Sequence, residues 1–343
     1  MKKINVLITC VGGAMGYENM LTLQAAENVA RVIVTDQNPK SIASKYGCPF
    51  YVVPNGRDSE YGQVVKDICV KEDIQLIIPS SDEEALTLAA LSSEFSEKGV
   101  TCATPSKELI SAFQDKKAMF DFLAGAGISV PRYMLFNKAD ELHECLKIMG
   151  YPQRPLLIKP YSGRGGRGVW ELREDKYSLK ELTSIRELRR INLETLTDIM
   201  QETESPVPLM MMEYFPGNVF DVDILAFQGE PLCLVGRRRH HWLNIPFYGF
   251  TFEYNESVLT LASEVCRALK LTYLYDIDAV IDSQGKAQIV DVNPRLSGSC
   301  SAVFAGGINL FDLLVKLVVG EKVPQVEIPY GREIKAVTKA IAL

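Results

Sequence analysis

The sequence predicts two architectures in one chain, a parallel α/β sheet in front and an α+β arrangement behind it. Three observations carry this. Over residues 1–110, apolar runs of strand length alternate with helical stretches, the pattern of a parallel sheet covered on both faces. Beyond residue 207, strand patterns follow one another with little helix between them, as in FDVDILAF, EPLCLVGRRR, YLYDIDAVID and AQIVDVN. Between the two lies the glycine-rich SGRGGRG, flanked by short strand patterns that read as a hairpin.

Taken in order, INVLIT at 4–9 is a buried strand that runs into the turn CVGGAMG, and a helix follows around 17–29. RVIVT at 31–35 is a second strand ending at Asp36, IQLIIPS at 74–80 another, and DEEALTLAALSSEF a helix. VTCATP closes this first domain at 100–105. A helix over 111–126 places Phe113, Met119, Phe120 and Leu123 in a core. PLLIK at 155–159 and VWELR at 169–173 are the strands around the glycine loop. The charged stretch 174–206 reads as a solvated helix. PLMMMEYF at 208–215 is a strand broken at Pro216–Gly217, and a helix spans about 257–269. The predicted domains are 1–110, 111–207 and 208–343.

Bulk properties narrow the function classes. With 343 residues, 47% of them hydrophobic, the chain builds a sizeable core. A formal net charge of -6 disfavours nonspecific binding to nucleic acid or to an anionic membrane surface, and no apolar run reaches bilayer length. MKKINVLITCVGG has too short an apolar part for a signal peptide and reads as the first strand. The eight cysteines form no CxxC pair, which predicts reduced buried thiols and a cytoplasmic protein.

Chemistry concentrates in the second half. Asp291 and Asn293 lie two apart on a strand and share one face. Asp278, on the preceding strand, is brought near them by cross-strand pairing. Three oxygen donors on one face suit Mg2+, and Arg295 follows where a guanidinium holds a phosphoryl oxygen or a carboxylate. Lys159 precedes the glycine loop, whose backbone amides can approach phosphate closely. Glu213, Tyr214 and Phe215, before Pro216–Gly217, form an apolar strand end that can offer backbone groups to an adenine edge. In Gly236–Arg237–Arg238–Arg239, strand alternation turns Arg237 and Arg239 one way and Arg238 the other.

The order Asp115–Lys116, Lys159 with its glycines, Glu213, Asp278 and Asp291-x-Asn293-Pro294-Arg295 resembles the ATP-grasp enzymes. It is most similar to one ATP-grasp unit of the carbamoyl-phosphate synthetase large subunit, from VLITCVGGAMG to DLLVKLVVGEK. The resemblance implies an ATP-grasp fold with an N-terminal Rossmann-like, pre-ATP-grasp domain. It implies ATP as nucleotide, with Lys116 and Lys159 on its phosphates under a lid formed by Ser162, Gly163, Gly165 and Gly166. It further implies Glu213, Tyr214 and Phe215 at the adenine, and Mg2+ (or Mn2+) on Asp278, Asp291 and Asn293. Arg295 would steady the transferred group, with Arg237 or Arg239 on the substrate carboxylate. The family often has Glu where Asp291 stands. Its ribose-binding Glu after the hinge is replaced by Asn218–Val219–Phe220, which turns attention to Asp221 or Asp223. The implied reaction joins a small-molecule carboxylate to an amine or ammonia through an acyl phosphate, with a homodimer compatible and no nucleic acid or membrane partner. Two other classes stay open. An NAD-dependent oxidoreductase would use VGGAMG and Asp36, although GxGxxG is not satisfied; a nucleotide-binding protein without catalysis would keep the fold alone.

Overall fold

The computed structural model describes residues 2–13, 15–45, 47–162, 168–174, 179, 189–204, 207–241 and 248–337. The predicted lid glycines Gly163, Gly165 and Gly166 lie outside these residues, as do 175–178, 180–188, 205–206 and the segment 242–247. The chain forms two compact units, one of Met1–Phe113, Asn218–Val280 and Ile289–Leu343, the other of Gln114–Gly217 and Ile281–Gln288.

The first unit opens with a five-stranded parallel sheet of order β3-β2-β1-β4-β5. Its strands are β1 (Ile4–Ile8), β2 (Val29–Asp36), β3 (Phe50–Val52), β4 (Leu76–Ile78) and β5 (Thr101–Cys102). β1 and β4 are buried along most of their length because helices cover both faces, which is why they read as unbroken apolar runs. The helices α1 (Gly16–Gln24), α2 (Tyr61–Glu72), α3 (Asp82–Ala90) and α4 (Ser92–Ser96) connect them. Ser81 caps α3 by accepting the N–H of Glu84, three residues on.

The same unit holds a six-stranded sheet of order β15-β14-β11-β12-β13-β16. These are β11 (Val219–Phe227), β12 (Glu230–Arg239), β13 (Phe250–Phe252), β14 (Tyr273–Ile281), β15 (Ala287–Asn293) and β16 (Glu333–Ile334). Register fixes what each face carries. Asp221 lies opposite Arg237 on β12 and opposite Asp278 on β14, and Asp223 lies opposite Asp276. Side chains alternate along a strand, so these charges share one face. Phe220, Val222, Ile224 and Ile277 take the other face and are buried. A helix Glu256–Ala268 covers that apolar face: a Cβ added at Gly236, opposite Val222, would stand 3.4 Å from Leu259 of the helix. At their far end, the charged-face positions become apolar. There Leu225, Cys233, Val235 and Leu274 join one core with Ile4, Val6 and Ile8 of β1 and with Phe311 and Leu314 of the helix Leu310–Val318.

The second unit carries a sheet of order β6-β10-β7-β8-β9. Its strands are β6 (Tyr133–Phe136), β7 (Leu156–Pro160), β8 (Trp170–Leu172), β9 (Arg190–Ile191) and β10 (Leu209–Glu213). Helices α5 (Lys116–Gly125) and α6 (Ala139–Met149) belong to it. β6 and α6 fall in a stretch the sequence reading passed over, although α6 has its apolar residues Leu142, Cys145, Leu146 and Met149 at helical spacing, all buried. Among the described residues no single helix is long and apolar enough to cross a membrane. All eight cysteines are free thiols and six are buried.

Candidate active site

In the second unit, Lys116 is the first residue of α5 and Asp115 caps the helix by accepting the N–H of Ala118 at 2.8 Å. The other carboxylate oxygen of Asp115 accepts the Tyr161 hydroxyl at 2.5 Å. One acid thus fastens the start of α5 to the residues that lead into the glycine loop. Lys159 is buried on β7, with its Nζ 5.5 Å from the Phe120 ring centroid, within reach of a cation–π attraction. Ser162 is exposed at the loop's edge.

At the expected hinge the backbone is partly committed. Glu213 N–H donates to Arg132 O at 3.0 Å and Tyr214 N–H donates to Pro155 O at 3.1 Å. The Glu213 carboxylate accepts the Arg132 N–H at 3.0 Å and lies 3.7 Å from Arg154. Glu213 therefore ties strands together at its own amide. Phe215 is the next position able to present an N–H to a base edge. Tyr214 is half-buried, and burial followed by the nearby Glu171 pushes its phenol up.

The first unit holds the dense charge. Arg237 is fully buried: its Nε is 2.7 Å from Asp223, and it donates to Ser299 at 2.9 Å and to Ser297 at 3.3 Å. Its guanidinium carbon lies 5.0 Å from the Phe250 centroid. Arg239 donates from Nε to Asp221 at 2.9 Å, pairs with Asp221 again through its terminal nitrogen, and lies 2.8 Å from Asp278. Arg238 faces the other way and pairs with Glu253. The alternation read from the sequence is therefore present, but Arg237 is a buried anchor and only Arg239 of the two keeps some exposure, 15% of its side chain. Asp221 and Asp223, weighed above for a ribose, are both buried against these arginines. Desolvation opposes their charge, which matched guanidinium partners offset.

Asn293 donates to Asp276 at 3.1 Å, and its carbonyl accepts from Arg295 at 3.4 Å. Arg295 is held mainly elsewhere, by Asp82 at the start of α3 at 2.9 Å and by the Leu296 carbonyl at 2.8 Å. Nothing in the sequence links Asp82 to Arg295 across 213 positions. The oxygens of Asp221, Asp276 and Asp278 lie within 4.8 Å of one another. This group differs from the expected Asp278, Asp291 and Asn293 in that it is built across β11 and β14. Asp276 was missed, although in YDIDAV it stands two residues before Asp278 and obeys the same alternation used for Asp291 and Asn293. Burial, then neighbouring carboxylates, drive these acids upward. Asp278 is pushed up to about 7 and Asp223 to about 6, and Asp276 lies well above the usual range. For Asp221 burial acts in the same direction, but Arg239 outweighs it and holds the acid below its ordinary value.

In the N-terminal sheet, Asp36 accepts the Gly12 N–H at 2.6 Å and the Asn38 N–H at 2.8 Å. A Cβ on Gly12 would stand 2.7 Å from the same carboxylate. The acid that a dinucleotide reading assigns to a ribose is thus bound to the glycine turn itself.

Comparison with known proteins agrees with this layout. Residues 6–103 match the family described as PylC-like, N-terminal domain, and residues 205–340 the family described as ATP-grasp in the biosynthetic pathway with Ter operon. The chain has the ATP-grasp fold. It is 22% identical to the carbamoyl phosphate synthase large chain of Clostridium acetobutylicum over 323 residues, 91% of this chain and 28% of that protein. It therefore spans less than a third of that relative's length. Among solved structures, an ADP complex of N5-carboxyaminoimidazole ribonucleotide synthetase superposes with a TM-score of 0.69 at 15% identity, covering 96% of this chain and 80% of the other. An L-amino acid ligase from Bacillus licheniformis superposes with a TM-score of 0.62 at 14% identity, covering 93% and 75%.

Proposed function

We propose that this ATP-grasp chain is an ATP-dependent ligase that activates a small carboxylate as an acyl phosphate and transfers the acyl group to an amine or ammonia. The observation that carries the reading is the charged face around Asp278, Asp291, Asn293 and Arg295 at the end of β14 and β15. Relatives and neighbours named as ligases and synthases on the same fold support it.

ATP is the phosphoryl donor. A carboxylate oxygen attacks the γ-phosphorus, the bond to the bridging oxygen breaks, and ADP leaves. The amine nitrogen then attacks the acyl carbon, phosphate departs with its oxygen, and the nitrogen loses a proton. Such chemistry asks the protein for positioning and charge neutralisation rather than a covalent nucleophile. Lys116 and Lys159 supply charge for nucleotide phosphates, with Ser162 following on the same chain. The hinge at Glu213, Tyr214 and Phe215 receives the base. Arg295, whose fork matches both carboxylate and phosphate oxygens, steadies the transferred group, and Arg239 is the partner on β12 with side-chain exposure. Asp278, Asp291 and Asn293 are hard oxygen donors of the kind Mg2+ or Mn2+ takes, and the buried Asp276 Oδ1, without a hydrogen-bond partner among the described residues, fits a cation nearby. The ion, when bound, neutralises phosphate charge.

The test is a phosphate-release screen of the purified chain with Mg-ATP across amino acids, sugar acids and amines, run beside Asp291→Ala. Turnover with a carboxylate–amine pair, lowered at least about 100-fold in a folded Asp291→Ala, is expected. Equal release by both proteins, or a thermal shift with NAD and none with ATP, overturns the reading.

A further inference from the structure

The charged face of the six-stranded sheet does not balance. Arg237 and Asp223 neutralise each other at 2.7 Å in full burial. The remaining group is Asp221, Asp276 and Asp278, and among the described residues one cation, Arg239, is bound to the first and third. Three negative charges and one positive leave a formal charge of -2. Asp276 is the member the protein serves least. It is 5% exposed, its Oδ2 accepts an amide hydrogen from Asn293 at 3.1 Å, and its Oδ1 is buried with no hydrogen-bond partner among the described residues. Uncompensated buried charge of this kind is costly. Either protons or a divalent cation must meet it.

Geometry favours the cation. One oxygen from each of the three acids lies within 4.8 Å of the others, on two adjacent strands whose register sets Asp221 directly opposite Asp278. Opposed oxygens around Mg2+ stand about 4.2 Å apart, and around Ca2+ roughly 4.6–5.2 Å, so a hard divalent ion fits with little movement. Asp276, whose buried Oδ1 has no hydrogen-bond partner among the described residues, is a member of that group. Arg239 reaches the group from a partly exposed position and leaves Asp276 unpaired to it.

We infer that Asp221, Asp276 and Asp278 hold a divalent cation in the free chain, with Asp276 as its distinguishing ligand. This ion is separate from the nucleotide-borne Mg2+ of the ligase reading, which uses Asp278, Asp291 and Asn293, and it needs no nucleotide. It gives the excess carboxylates a permanent counter-charge before any phosphate arrives, so Asp278 would be shared between a resident ion and an incoming one.

The experiment uses the full-length chain with Mn2+ alone, followed by electron paramagnetic resonance titration in the absence of nucleotide. The wild type is expected to bind one Mn2+ per chain, and its urea midpoint to rise with Mn2+. Asp276→Asn, which keeps shape and removes the charge, is expected to weaken that binding at least about tenfold, while Asp291→Asn leaves it within about twofold. Absence of Mn2+ binding and of any midpoint shift in the wild type overturns the inference and assigns the missing charge to protons. So does Mn2+ binding to Asp276→Asn as tight as wild type, or equal loss in Asp291→Asn. If Asp276→Asn does not fold, the wild-type midpoint shift decides alone. No arm contains ATP, so failure here leaves the ligase reading standing, and failure of the ligase screen leaves this one.

Discussion

The parallel sheet and the six-stranded sheet of the same unit treat buried acids in opposite ways. At the ends of the parallel strands, Asp36 and Glu84 meet neutral donors. Asp36 accepts two backbone N–H groups, and Glu84 accepts the hydroxyls of Thr9 at 2.6 Å and Ser81 at 2.9 Å. These acids close turns and caps. On the six-stranded sheet the acids face arginines and one another, and carboxylates outnumber guanidiniums. A carboxylate satisfied by dipoles is finished when the chain folds. One satisfied by charge is finished only when the charges balance, so the second sheet is where an outside ion or substrate has something to gain.

The sharpest way to break this contrast is to remove the buried cation from the second sheet. Arg237→Met leaves Asp223 charged and enclosed, and should cost about 3–5 kcal/mol in urea unfolding. Adding Asp223→Leu should restore most of it, since two apolar groups of similar shape replace a pair. A loss below about 1 kcal/mol would show that the pair carries no such charge.

A smaller effect is expected at the link between the two sheets. Asp82→Asn deprives Arg295 of its ionic partner and should cost about 1.5–3 kcal/mol, the range of a charged hydrogen bond. Because Arg295 then loses its fixed direction, turnover in the phosphate-release assay should fall more than ATP affinity does. Equal losses in both would count against a positioning role.

The mildest change tests the first sheet. Burial outweighs the hydrogen bonds from Thr9 and Ser81 and raises Glu84 above its ordinary value of 4.5. The native state then keeps a proton that the unfolded chain has released, so stability declines as pH rises from about 4.5 through the raised value. Glu84→Gln cannot titrate, and its melting temperature between pH 4.5 and 8 should fall less steeply than that of the wild type. An identical slope would show that Glu84 does not contribute to it.

Much of this was legible in the sequence, for a definite reason. Strand period two put Asp291 with Asn293 and Arg237 with Arg239 on shared faces without knowledge of any contact. Strands EPLCLVGRRR and AQIVDVN were bounded by turn residues and needed no tertiary help. What could not be read was which positions oppose each other. Register set Asp221 against Asp278, and so drew Asp221 and Asp223 away from a ribose and into pairs with Arg239 and Arg237. Burial was likewise invisible: Arg237 and Arg239 look equal in a run of three arginines, yet one is enclosed by Ser297, Ser299 and Asp223. The partner of Arg295 lies in another domain of the sequence altogether.

That last ion pair bears on how such a chain can be recombined. Its acid comes from the segment matching one family and its arginine from the segment matching another, and the core beneath them mixes Ile4, Val6 and Ile8 with Phe311 and Leu314. A graft that swaps the first hundred residues for those of a relative inherits an arginine whose orientation was set by the acceptor it lost. Modular in descent, the two segments are not interchangeable parts, and any chimera must carry the acid at position 82 together with the arginine it aims.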